Sequence, residues 1–334
     1  MFKRIWPYVR VVLSLALLAF ALSRIDWLTL SHSKHNIHME WVVFAVIALI
    51  GNNILAGLRW AWLMRAAGFN EPLKTYVALY FSGGLINQGL PTTIGGDSYR
   101  AIQAIRGCKI SVSETNRVNM LNAQPRLRQS LLIVAMERSL GLLGNNIAGA
   151  LGLLIGGGVI GHWAVQFGGL LMVCMLGGAA LLALLLRLPV SLNYLSQLLK
   201  RFHLEGALPA IKLGFGWPYC LVQIVLAVVI HFVAIMALWF CLSAFGATPP
   251  IESLMIGLPA LVLLMMLPIS ISGWGLRETT LSAVLALWGT DPSLTILGSV
   301  CYGAITLVSL LPGAYYLMRS EPANAINLET AIDR

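Results

Sequence analysis

Charged side chains interrupt some of the most apolar stretches of this sequence. They form three pairs of opposite charge: Asp97 with Arg100, Glu137 with Arg138, and Arg277 with Glu278. A charge inside a membrane-spanning helix is costly, faces the interior of the helix bundle, and marks a binding site or a pathway. The guanidinium fork of arginine suits phosphate groups. The alternative interpretation is that these charges only pair with one another, as residues three apart on a helix can. A further alternative for Glu137 and Arg138 is a position near the cytoplasmic interface, with the Arg138 side chain extended to the polar headgroups.

Two of the pairs lie where glycine and proline break an apolar segment. Residues 90–100 read LPTTIGGDSYR and residues 267–277 read LPISISGWGLR, with Leu, Pro, Gly and Arg at matching positions. A broken helix survives in a membrane only when protein buries it or when it lines a wet cavity. Its free N–H groups suit an anion. Paired breaks of this kind indicate an inverted repeat and point to a transport site.

The candidate substrate-contacting residues lie at these breaks and in the stretch between them. They are Asn87, Pro91, Gly95, Gly96, Asp97, Arg100, Glu137, Arg138, Pro268, Gly273, Arg277 and Glu278.

The elements that carry these residues are apolar helices. Of the 334 residues, 58% are hydrophobic and 10% are charged, whereas a soluble domain has about 25% charged residues. A spanning helix needs about 20 apolar residues, and six stretches qualify: 8–25, 41–58, 127–156, 163–186, 218–245 and 294–317. The broken stretches, 75–105 and 253–289, bring a plain hydropathy count to about eight segments.

We therefore predict an all-α polytopic membrane protein with six full spans and two re-entrant hairpins. Residues 1–320 form one transmembrane domain, with repeat halves at about 40–160 and 217–318, and residues 321–334 form a polar tail.

The distribution of Lys and Arg predicts the topology. Basic residues cluster in 106–128 and 187–212, whereas loops near 157–162, 246–252 and 289–293 have none. The positive-inside rule then places both termini in the cytoplasm. The pattern requires the first broken stretch to enter from the cytoplasm and return, and the second to do so from outside. We expect a location in the cell inner membrane.

The net charge of +9 fits basic cytoplasmic loops that contact anionic phospholipid headgroups. Membrane lipids are therefore the predicted partners, and nucleic acid is not. The sequence leaves the oligomeric state open.

The sequence predicts no cofactor, no metal and no catalytic residue. It has no nucleotide-binding glycine motif, and its five cysteines lack the CxxC spacing of a metal or redox site. His32, His35 and His38 recur every three residues, but we interpret them as part of an ordinary polar loop.

The charged motifs occur in a recognisable order. Asn87, Pro91, Gly95-Gly96-Asp97 and Arg100 come first, Glu137-Arg138 with Leu140-Gly141-Leu142 follows, and Leu267-Pro268 with Gly273, Gly275 and Arg277-Glu278 comes last. This series resembles the lysylphosphatidylglycerol synthase transmembrane-region family over about residues 10–318. The resemblance implies a flippase-like protein, here a stand-alone member without the aminoacyl-transfer domain. Trp274 departs from the glycine common in the family, which affects the expected shape of the second hairpin.

The leading hypothesis is a lipid transporter that moves an amphipathic lipid with a polar or charged headgroup between leaflets. Arg100 and Arg277 would meet a phosphate, while Asp97, Glu137 and Glu278 would orient the arginines, bind a cationic group or carry protons.

One alternative is a membrane-embedded enzyme that acts on lipid headgroups, with Glu137 or Asp97 as general base. No nucleophile or metal cluster accompanies the acids, so we predict a protein that is not an enzyme. The other alternative is a non-transporting accessory protein of envelope lipid biogenesis. The lipid and the energy source stay open.

Overall fold

The computed structural model describes residues 2–25, 37–90, 94–106, 116–267, 270 and 272–319. Within these ranges all regular structure is helical, with two short 3₁₀ turns and no strand. The α-helices are α1 Phe2–Ser23, α2 Met39–Ala66, α3 Leu73–Gly89, α4 Ile94–Arg106, α5 Asn116–Gly156, α6 His162–Leu185, α7 Pro189–Arg201, α8 Leu208–Phe215, α9 Tyr219–Ser243, α10 Ile251–Met265, α11 Leu276–Ala286, α12 Pro292–Ser309 and α13 Pro312–Arg319.

The predicted class, an all-α polytopic membrane protein, is confirmed. Five segments of the described chain are long and apolar enough to cross a membrane: Met39–Ala66, Arg126–Val159, His162–Leu185, Tyr219–Ser243 and Pro292–Met318. They coincide with five of the six predicted spans. The first predicted span, 8–25, falls on α1, whose apolar part includes Ser14–Ser23.

Both broken stretches form helical hairpins. In the first, α3 and α4 approach so closely that a Cβ added to Gly83 would lie 2.8 Å from the carbonyl oxygen of Gly96. In the second, Gly257 of α10 faces Leu281 and Leu285 of α11, which lie 3.3 and 3.4 Å from the same test position. At about 1.5 Å per residue, α3 is about 25 Å long and α11 about 16 Å. Both are shorter than the roughly 30 Å hydrocarbon core of a bilayer.

The two hairpins begin at opposite ends of the bundle. The loops without Lys or Arg gather at one end, where a Cβ on Gly156 would touch both Glu252 and Trp288. The second hairpin, formed by α10 and α11, begins and ends at this end of the bundle. At the other end, the Arg65 guanidinium of α2 donates to the carbonyl of Glu71, just before α3 begins. The hairpins therefore have the opposite directions that the charge pattern requires, while re-entrance, the inverted repeat and the cellular orientation stay predictions.

Each hairpin packs into its own buried cluster, and α5 contributes to both. The first cluster joins α2, α3, α4, α5 and α8 through residues such as Trp60, Tyr76, Ala101, Ile133 and Ala210. The second joins α5, α9, α10 and α11 through Ala148, Leu238, Leu254 and Leu281. The long helix α5 therefore sets the position of one hairpin relative to the other.

The contact between α3 and α4 yields a stability prediction. In Gly96→Ala, the new methyl would overlap the Gly83 carbonyl and lie 2.6 Å from Asn87 Oδ1. We expect the free energy of unfolding in detergent to fall by about 1–3 kcal/mol, the usual cost of overpacking. Gly178→Ala on α6 is the matched control, since its Cβ would meet nothing within 4 Å. Equal stability of the two variants would contradict the close packing.

Candidate functional site

A buried cluster of charges lies beside the break of the first hairpin. The Glu137 carboxylate on α5 accepts one hydrogen bond from Arg59 Nη2 of α2 at 2.8 Å. It accepts another from Arg100 Nη2 of α4 at 2.7 Å. All three residues are at most 3% exposed. One buried carboxylate thus holds two guanidinium groups from different helices.

A second ion pair extends this cluster to an accessible edge. Arg138 donates from Nε to Asp97 Oδ2 and from Nη2 to Asp97 Oδ1, each at 2.8 Å. Asp97 also accepts from Arg100 Nε at 3.2 Å. The Arg138 side chain is 46% exposed, whereas that of Arg100 is 2% exposed. The cluster contains three arginines and two carboxylates, so it carries one net positive charge.

Aromatic rings enclose the buried arginine. The Arg100 guanidinium carbon lies 4.9 Å from the ring centroid of Trp60 and 5.0 Å from that of Tyr80. Cation–π contacts of this kind stabilise a desolvated guanidinium. Within the described residues, Arg100 Nη1 and Arg59 Nε and Nη1 have no hydrogen-bond partner. Three guanidinium nitrogens of the site can therefore still donate a hydrogen bond.

The break of the second hairpin contains a comparable arrangement. Arg277 Nη2 and Nε donate to Glu278 Oε1 at 2.6 and 3.0 Å. The Arg277 guanidinium carbon lies 4.8 Å from the Trp274 ring centroid and 6.0 Å from that of Tyr302. Glu278 also accepts the Gly275 amide at 2.6 Å, which caps the start of α11. Arg100 and Arg277 thus each have a glutamate partner and two aromatic neighbours.

The tips of the hairpins contact each other. The Ser272 hydroxyl lies 2.7 Å from the carbonyl oxygen of Gln88 and 3.2 Å from that of Asn87. These carbonyls belong to the last turn of α3, which has no further helical partners. The Asn87 side chain accepts the Gly96 amide at 2.8 Å and so satisfies the start of α4. The polar groups exposed by the first break are therefore satisfied partly by the second hairpin.

The family model for the lysylphosphatidylglycerol synthase transmembrane region matches residues 8–313. This chain belongs to that family. The match includes both hairpins and both charge clusters, and it confirms the resemblance found in the motifs. It relates this membrane protein to lipid handling. No curated protein and no solved structure is significantly similar to the chain.

In this family member, ten of the twelve predicted site residues lie in the described part of the chain, and they divide into three groups. Asp97, Arg100, Glu137 and Arg138 come together in the first cluster, and Arg277 and Glu278 form the second. Asn87, Gly95, Gly96 and Gly273 shape the breaks: Gly273 has φ +76, and a Cβ on Gly95 would overlap Leu90. Pro91 and Pro268 lie outside the described residues, as do His32 and His35.

Sequence reasoning missed Arg59, Ser272 and the aromatic neighbours. Arg59 had a usable signal, since it is a charge within the long apolar helix Met39–Ala66 and such charges are functional or paired by default. Trp60, Tyr80 and Tyr302 had no signal, because aromatic residues are common throughout membrane helices. Their role depends on which helices become neighbours.

The buried carboxylate yields a prediction about stability. Glu137→Gln leaves Arg59 without a counter-charge, and we expect a loss of about 3–5 kcal/mol in unfolding free energy. Addition of Arg59→Gln should recover part of that loss, because it removes the unpaired charge. Unfolding in detergent, analysed as a double-mutant cycle, measures the coupling. Glu205→Gln, at an exposed site, is the control. Additive losses for the two changes would contradict the pairing.

The contact between the tips yields a second prediction. Ser272→Ala removes the hydroxyl but keeps a Cβ at φ +50, so we expect a loss of about 1–3 kcal/mol and faster amide exchange in the last turn of α3. Ser272→Gly should destabilise less, since glycine adopts this φ without strain. Hydrogen exchange by mass spectrometry checks both. Ser196→Ala, which removes a local bond on α7, is the control. Unchanged exchange in Ser272→Ala would show that the contact contributes nothing.

Proposed function

We propose that this protein moves a lipid with a polar or charged headgroup between leaflets, and that the headgroup first meets Arg138 and Asp97. One observation carries the proposal: Arg138 is a nearly half-exposed arginine within a spanning helix. Membership of a lipid-related family supports it.

The position of Arg138 along the span makes its exposure informative. Arg138 lies twelve positions after Arg126, where the span begins, which is about 18 Å at helical rise. An arginine that faces lipid tails at the centre of a helix costs at least about 2.5–3.5 kcal/mol. We infer that the side chain, paired with Asp97, faces a polar route that opens toward the cytoplasmic interface. The neighbouring Ser139 is exposed as well.

The ion pair of Arg138 and Asp97 suits reversible headgroup contact. A phosphate has oxygen geometry similar to a carboxylate and can replace Asp97 on the arginine fork. Asp97 would then be released to accept a cationic group or a proton. The single net positive charge of the cluster favours an anionic group. The pair can therefore open and close as the lipid passes.

Arg100 and Arg277 have a different role in this arrangement. Both are buried against a glutamate and two rings, so each anchors its hairpin in the described conformation. Their predicted contact with phosphate requires the hairpins to separate. Separation at Ser272 would provide the alternating access of one half against the other. We further propose that the protein is not an enzyme. We also propose that it lies in the cell inner membrane with both termini in the cytoplasm.

Reconstitution with labelled lipids tests the proposal. Purified protein in liposomes should translocate a labelled phospholipid, and Arg138→Ala should slow this about tenfold or more, since a charge-assisted hydrogen bond contributes about 1.5–3 kcal/mol. The translocation rate of Arg138→Lys should fall between those of the unchanged protein and Arg138→Ala, because lysine keeps the charge but lacks the guanidinium fork. Lys74→Ala, an exposed cation near the start of α3, is the control and should transport normally.

Three outcomes would overturn parts of the proposal. Normal transport by Arg138→Ala would show that the headgroup does not depend on contact with Arg138. No translocation of any labelled lipid class by well-folded protein would reject transport itself. Conversion of the labelled lipid to a new product, seen by chromatography, would favour the enzymatic alternative.

A further inference from the structure

Helix α7 has an outer apolar strip that the described chain leaves uncovered. Its inner side packs toward the bundle through Leu199, which is 6% exposed. The outer strip consists of residues four apart: Val190 at 69%, Tyr194 at 74% and Leu198 at 53% exposed. Residues four apart lie on one side of a helix. The helix is therefore apolar on two sides, and only one of them contacts protein.

Cations flank this strip without compensating acids. Arg187, Lys200 and Arg201 are all exposed, and residues 187–203 contain no Asp or Glu. Phe202, 52% exposed, extends the apolar surface beyond the end of the helix. An apolar strip beside Lys and Arg is typical of a helix that lies in a membrane interface.

The neighbouring spans hold α7 at the level of the bilayer surface. Helix α6 has 24 residues and is about 36 Å long, which exceeds the roughly 30 Å hydrocarbon core. Only three residues separate its end at Leu185 from Pro189, and three extended residues reach about 11 Å at most. The start of α7 therefore cannot move far from the surface where α6 leaves the membrane.

Aromatic residues mark the same level. Trp217 and Tyr219, at the beginning of α9, are 49% and 51% exposed, and Trp and Tyr concentrate at membrane–water interfaces. The Arg187 guanidinium carbon lies 5.7 Å from the Trp217 ring centroid. This contact places the first cation of the segment beside an interfacial ring.

We propose that α7 lies along the bilayer surface, with Val190, Tyr194 and Leu198 inserted between headgroups and with the flanking cations bound to anionic phospholipid. The positive charge of the segment favours an anionic surface. Because the connection to α6 is short, the nearest such surface is the leaflet in which α6 ends. The proposal depends on membrane residence and not on lipid transport. It assigns the predicted contact between basic loops and anionic headgroups to one element.

Site-specific fluorescence in nanodiscs tests this placement with the full chain. Single cysteines at Val190 and Leu198, on a background with the native cysteines replaced, would carry an environment-sensitive probe. Brominated lipids should quench these probes several-fold more than a probe at Asn193, which directly precedes Tyr194 and so points about 100° away from the middle of the strip. Phosphatidylglycerol added to phosphatidylcholine should increase the quenching, and Lys200→Gln with Arg201→Gln should remove that increase. Arg24→Gln, an exposed cation at the opposite end of the bundle, should leave it unchanged.

Other results would overturn the proposal. Equal quenching on and off the strip would mean that α7 is not inserted. Protection from lipid quenchers together with disulfide cross-links between copies at Leu198 would show that a second copy covers the strip. An unchanged signal with phosphatidylglycerol would reject the anionic contact. The lipid-transport assay is separate from all three readouts, so failure here leaves the proposed function standing.

Discussion

The carboxylate of Glu137 is the group on which the arrangement of the first half depends. It forms ion pairs with both Arg59 and Arg100, which come from different helices and are both removed from solvent. A buried charge is tolerated only when a partner and additional hydrogen bonds compensate its desolvation. The three helices can therefore associate in this register only with the glutamate between the two arginines. Because Arg100 stands one turn after Asp97, the same contact also places Asp97 beside Arg138.

The breaks in the two hairpins are stable because nearby side chains satisfy their backbone groups. Asn87 accepts an amide at the start of α4, Glu278 accepts one at the start of α11, and Ser272 reaches the carbonyls at the end of α3. Unpaired backbone groups facing lipid would be too costly for a membrane protein. Two of these contacts stay within a hairpin and one joins the hairpins. In the proposed transport cycle, this division would let each hairpin stay intact while the contact between them opens.

The surroundings of Arg100 and Arg277 are similar, but they differ in their connection to the protein surface. Both have a glutamate and two aromatic neighbours, but only the first cluster continues to an exposed ion pair. Arg277 pairs with Glu278 and Ser299, all buried. In the proposed route, a polar headgroup would therefore meet the first half before the second. This asymmetry supports Arg138 and Asp97, more than either break arginine, as the first contact in the proposed route.

The sequence by itself determined membrane residence, the helical class, the positions of the spans, both breaks and the family. These properties depend on hydropathy and on glycine and proline, whose effects act within a few residues. Only the tertiary structure decided how the charges pair. In the sequence, Asp97 stands closest to Arg100 and Glu137 beside Arg138, but the shortest contacts exchange these partners and add Arg59. The physical reason is that neighbouring residues on a helix point in directions about 100° apart, so a buried charge takes its partners from the helices that pack against it.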